Sequence, residues 1–136
     1  MLRFMSLLDV ILGRRSIRRY ENKEIPKDVL DKIIEAGRQS PSAANRQPYR
    51  FVIVTDSEIK KELSKELFSR FLKNSPLIIV GCANTKALLT GKWATVDTTI
   101  ALENMVLAAW SLGIGSCWIG SFKEQKIKEL LKIPEK

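Results

Sequence analysis

Arg50-Phe51-Val52-Ile53-Val54-Thr55 is a run of β-branched and aromatic residues and reads as a strand. Immediately after it, Asp56 or Ser57 can cap a helix in which Ile59, Leu63, Leu67 and Phe71 recur at a spacing of four. Pro76-Leu77-Ile78-Ile79-Val80-Gly81-Cys82 then reads as a second strand, apolar on both faces and so expected at the centre of a sheet. Strands separated by helices favour a layered α/β or α+β domain over a bundle.

Toward the N-terminus, Ser6 with Asp9 three residues on forms a capping signal for a short helix ending at Gly13. Pro26 opens another, with Val29, Leu30, Ile33, Ile34 and Ala36 on one face and Gly37 as its expected stop. Asn45 and Pro48 bracket a loop. Toward the C-terminus, Asp97 is placed to cap a long helix from Thr98 to Leu112. Its apolar residues surround nearly the whole circumference, so the helix is either buried in the domain or shared with another subunit. Ser116 to Ile119 is expected as a short strand, and Ile127, Leu130 and Leu131 mark a last amphipathic helix.

Composition limits the function. A chain of 136 residues fits one domain, 1–136, with a single core. Histidine is absent, which disfavours the common zinc sites and the Ser-His-Asp and Cys-His nucleophile systems, so chemistry must come from a bound cofactor or from carboxylates. Cys82 and Cys117 both lie in apolar runs and are expected as free thiols. The stretch Phe4 to Leu12 carries a carboxylate and no cleavage pattern. The longest apolar run, Met105 to Gly115, is far short of the roughly 20 residues that span a bilayer, so a cytoplasmic location is expected. The net charge of +8 points to an anionic partner: nucleic acid, a membrane surface or an anionic cofactor.

The cations concentrate usefully. Arg14-Arg15-Ser16-Ile17-Arg18-Arg19-Tyr20 places four arginines within six residues, and forked guanidinium donors with a hydroxyl among them match phosphate oxygens. The bland alternative is a solvated basic turn. Two nucleotide motifs are approached and missed. Gly91-Lys92 is followed by Trp93 and lacks the earlier glycine of a P-loop. Gly113-Ile114-Gly115 follows a helix instead of a strand and has Trp118 where a third glycine belongs.

Taken together, the arginine segment, Pro41-Ser42-Ala43-Ala44-Asn45-Arg46-Gln47-Pro48, the helix Asp97 to Leu112, and Gly113-Ile114-Gly115-Ser116-Cys117-Trp118-Ile119-Gly120-Ser121-Phe122 resemble the nitroreductase family of flavin enzymes, from about Ser6 to Glu135. The resemblance implies an α+β sandwich whose central, mostly antiparallel sheet is flanked by helices, and a homodimer that holds FMN at the subunit interface. It assigns Arg14, Arg15 and Ser16 to the FMN phosphate and ribitol, and Arg18 to the pyrimidine edge of the flavin, where a cation stabilises the anionic reduced ring. Pro41, Ser42, Ala43 and Asn45 would line the ring from the partner subunit, and Gln47 with Pro48 would shape that loop. Ile119 and Gly120 would bring a backbone N–H near flavin N5. Trp118 and Cys117 read as packing, and Asp97 as a helix cap at least as readily as a substrate contact.

The implied reaction passes a hydride from NAD(P)H through flavin N5 to a small conjugated acceptor such as a nitroaromatic or a quinone, without metal, membrane or nucleic acid. The family pattern continues beyond the position of Ile133-Pro134-Glu135 with a strand, a Gly-Tyr-Pro-like turn and a terminal basic residue, whereas this sequence runs to Lys136, as a fragment or a short form. Two competing readings are a catalytically degenerate flavin-binding protein and a basic nucleic-acid-binding protein using Arg14, Arg15, Arg18, Arg19, Arg38, Arg46 and Arg50 as a phosphate-contacting patch. The second predicts steep salt dependence and no chromophore.

Overall fold

The computed structural model describes residues 5–65 and 67–135. Its first helix, α1 (Leu7–Gly13), starts at the expected capping box: Ser6 Oγ accepts the Asp9 N–H at 3.1 Å, and Asp9 Oδ2 accepts the Ser6 N–H at 3.0 Å. Pro26, whose φ is already near helical, precedes α2 (Lys27–Arg38). Gly37 does not stop this helix. It lies buried inside the last turn, where an added Cβ would stand 2.1 Å from Met105 Cε, so its missing side chain sets how closely α2 approaches the next long helix.

Strand β1 (Tyr49–Val54) pairs antiparallel with β2 (Ile78–Ala83), in a register that sets Val52 opposite Val80. Between them, Asp56 Oδ1 caps α3 (Ser57–Leu63) by accepting the Ile59 N–H at 2.9 Å. The spacing-of-four pattern predicts one helix to Phe71, but the chain breaks after Leu63 and resumes as a 3₁₀ segment, Leu67–Asn74, kinked at Ser69. Buried Lys60 spans the break, its Nζ donating to Ser75 O at 2.7 Å and to Pro76 O at 3.2 Å.

A 3₁₀ turn, Gly91–Trp93, leads into α4 (Ala94–Ser111), and α5 (Glu124–Leu131) follows. Helix α4 is the centre of the domain. Its Met105 and Ala109 meet Ile33 of α2, and Val29, Phe51, Ile79, Leu102 and Ile114 close around them, so both strands and α2 share one core on α4. This is the expected α+β layering, with an antiparallel sheet against helices. Two expectations change. Among the described strands β2 has only β1 as a neighbour, and its residues 78–81, with Leu77 just before them, help wall an open apolar groove of about 890 Å³. Ser116 to Ile119 forms no strand; it makes a single parallel bridge between Ser116 and Ser16. No helix is long and apolar enough to cross a membrane among the described residues.

Candidate functional site

The Ser16–Ser116 bridge joins the arginine segment to the glycine-rich segment. The Ile17 N–H donates to Ser116 O at 2.8 Å, and Gly115 lies against Ile17 so closely that an added Cβ would stand 2.8 Å from Ile17 Cγ1. Glu103 of α4 reinforces the junction: its Oε2 accepts the Trp118 indole N–H at 2.7 Å, and its Oε1 lies 3.9 Å from Arg14 Nε. Trp118, expected as packing, is 41% exposed and is held by this hydrogen bond. Cys117 and Cys82 are both free thiols, and burial pushes the Cys82 thiol up from its ordinary value.

The four arginines divide their work. Arg15 Nη1 donates to the carbonyls of Leu12, Gly13 and Arg14 at 2.9–3.2 Å, satisfying the C-terminal end of α1. Ser16, Arg18 and Arg19 are exposed, and Arg18 pairs with no protein anion among the described residues. Tyr20 anchors the end of the segment: its hydroxyl donates to Ile17 O at 2.7 Å and its ring lies 6.3 Å from that of Phe71. Burial pushes the Tyr20 phenol up to about 12, the Cys117 thiol adds to the effect, and the Arg18 charge opposes it.

Residues 41–47 form a second and separate cluster. Ser42 and Ala43 are half-buried, whereas Pro41, Asn45 and Gln47 are exposed. Ala44, Asn45 and Gln47 all have φ near +50°, an unusual density of left-handed non-glycine residues. Ser42 Oγ accepts the Gln47 N–H at 2.9 Å, and Asn45 Oδ1 accepts from Gln47 Nε2 at 3.0 Å. Asp97 lies in the first turn of α4, which begins four residues earlier than expected, and it caps no helix. Its buried carboxylate reaches across to accept the Ala43 N–H at 3.1 Å.

Asp97 and Glu103 are the only charged residues of α4, and both serve loops. Six residues apart, they point about 120° away from each other around the helix. Asn104, seven from Asp97, returns to nearly the same face and donates to Ser40 Oγ at 2.7 Å. The loop at 40–43 and the arginine segment thus occupy different faces of α4, and no hydrogen bond or ion pair joins 41–47 to 14–18 among the described residues. Ile119 is half-buried and Gly120 is exposed, with no atom other than its own and its chain neighbours' within 4 Å of where its Cβ would stand. Sequence reasoning overlooked Glu103 entirely. The available signal was two charges on an otherwise uncharged helix.

No group of His, Cys, Asp and Glu that could hold a metal occurs among the described residues. The pattern that defines the nitroreductase family matches residues 11–77 and 69–136. A protein of Archaeoglobus fulgidus, named for NADH dehydrogenase and NAD(P)H nitroreductase activity, is 41% identical over 135 residues, covering 94% of this chain and 77% of that protein. A solved nitroreductase family protein from Clostridium novyi NT is similar at a TM-score of 0.88 and 37% identity, over 96% of this chain and 78% of that one. An FMN-dependent nitroreductase from Clostridium difficile R20291 is similar at a TM-score of 0.86 and 34% identity, over 94% and 79%.

Proposed function

The chain belongs to the nitroreductase family, and on that premise we propose an FMN-dependent oxidoreductase that takes electrons from NAD(P)H and passes them to a small conjugated acceptor, a nitroaromatic or a quinone. The observation that carries this reading is the Ser16–Ser116 bridge, which holds the arginine segment against the glycine-rich segment that leads to the exposed Gly120. FMN needs donors for a doubly charged phosphate, a cation near the edge of the ring that gains charge on reduction, and close backbone approach elsewhere. The residues present fit these needs. Arg14, Ser16 and the nitrogens of Arg15 other than Nη1 would hold the phosphate and ribitol, Arg18 would face the pyrimidine edge, and Ile119 and Gly120 would offer backbone N–H groups to the ring.

Bound FMN supplies the two-electron redox chemistry. The protein's part is to bind and orient. Glu103 fixes Arg14 and Trp118 relative to each other, and Tyr20 ties down the backbone at Ile17. Residues 41–45 and their own chain's arginines meet different faces of α4, which fits a role for 41–45 in the partner's site. The apolar exterior supports a homodimer: Leu7, Leu8 and Leu12 of α1 are 62–72% exposed, and Val96 and Ile100 of α4 are exposed as well.

The observations favour flavin over nucleic acid. Arg38 is paired to Glu35 through two contacts of 2.7 Å, and Arg50 donates to the carbonyl of Tyr49, so the basic residues do not form one free patch. The test is a visible absorption spectrum recorded with and without added FMN, then titrations of Arg14→Ala and Ser16→Ala. We expect a perturbed flavin spectrum in the wild-type protein and, for Arg14→Ala, affinity lower by about tenfold or more, since hydrogen bonds to charged groups contribute about 1.5–3 kcal/mol. A protein that never takes up FMN ends this reading.

A further inference from the structure

We infer that Asp97 is a positioning residue that locks the turn at 43–47 into its flavin-facing shape, an inference that rests on the reading above. Three of its five residues, Ala44, Asn45 and Gln47, sit in the left-handed region, and Ala44 has no polar side chain to support itself there. Such conformations persist only where the surroundings over-determine them. Most of the bonds that could do so are internal to the turn: Asn45 N–H to Ser42 O at 2.9 Å, Arg46 N–H to Ala43 O at 3.1 Å, and Gln47 N–H to Ser42 Oγ at 2.9 Å. Among the described residues, the Ala43 N–H to Asp97 bond is the one hydrogen bond that ties residues 42–47 to another element.

Asp97 is only 5% exposed, and no cation lies within ion-pair distance of its carboxylate among the described residues. Burying an acidic side chain without a cation beside it is costly. Its effect is therefore better sought in what it holds. A carboxyl oxygen that accepts from the backbone N–H at the first residue of the turn fixes how Asn45 and its neighbours sit against α4. The rigid helix carries this turn on one face and Glu103 on another, so a single element sets both contributions to flavin sites.

Asp97→Ala removes the acceptor, while Asp97→Asn keeps an oxygen there. Without flavin, trypsin cleavage after exposed Arg46 reports the turn directly, at a temperature where circular dichroism shows each variant folded. We expect cleavage about tenfold faster in Asp97→Ala and intermediate in Asp97→Asn, as partial loss of one tether would give. FMN and riboflavin, which lacks the phosphate, are then titrated. Asp97→Ala should weaken both by a similar factor, about tenfold, whereas Arg14→Ala should weaken FMN more than riboflavin.

Unchanged cleavage after Arg46 in both variants overturns the tether. Faster cleavage with unchanged affinity for both flavins overturns the positioning role. If Asp97→Ala does not fold, Asp97→Asn decides by the same two measurements. A wild-type protein that binds neither flavin overturns the functional reading and the flavin half of this inference, while the proteolysis still decides the tether.

Discussion

Gly115 shows how much one missing carbon can decide. A Cβ at this position would stand 2.8 Å from Ile17 Cγ1 and 2.9 Å from Ile17 Cβ, and a β-branched side chain has little rotamer freedom with which to retreat. Gly115→Ala should therefore push the arginine segment off the glycine-rich segment, with a stability loss of about 1–3 kcal/mol and weaker FMN binding. Chemical denaturation and a flavin titration check this; an unchanged midpoint would mean that the close approach is not maintained in solution. At Gly37 the nearest obstacle is the flexible end of Met105, so the constraint there is on helix packing. In the sequence both glycines look like punctuation. Each is explained by what passes above it, and nothing in the neighbouring residues tells what that is.

Among the elements, α4 was the most legible and the most misread. Its nearly all-round apolar surface implied a buried or shared helix, and it does occupy the centre of the core. Its start was missed because Asp97-Thr98-Thr99 looks like a capping sequence, while the 3₁₀ turn Gly91–Trp93 begins the helix at Ala94. The segment 116–119 was expected as a strand from its composition, but a strand requires a partner along its length, and only Ser116 finds one. Helix α1 behaves in the opposite way: capped as expected, it buries Val10 and leaves Leu7, Leu8, Ile11 and Leu12 exposed. Replacing Leu8 and Leu12, an i,i+4 pair on one face, by Glu should shift the proposed dimer to monomer in sedimentation velocity while leaving helix content intact. A wild-type protein that sediments as a monomer would sink the dimer outright.

At the scale of the whole molecule, the separation of the two clusters on α4 makes a prediction in trans. A dimer mixed from Arg14→Ala and Asn45→Ala chains should hold one site with both alterations and one with neither, and so bind about one FMN per dimer with near wild-type affinity. Equal weakening at both sites would place the two clusters in the same chain's site. The layered class, the main helices and both strands were readable from the linear sequence because periodicity and capping are short-range properties, and the family came from the resemblance that its motifs carry. Glu103, the Asp97–Ala43 tether and the close contacts at Gly37 and Gly115 were not. They join residues up to 98 positions apart, such as Ile17 and Gly115, and such contacts exist only once α4 has been packed between its neighbours. Local patterns specify the parts; which charge meets which backbone group is settled by the packing of α4.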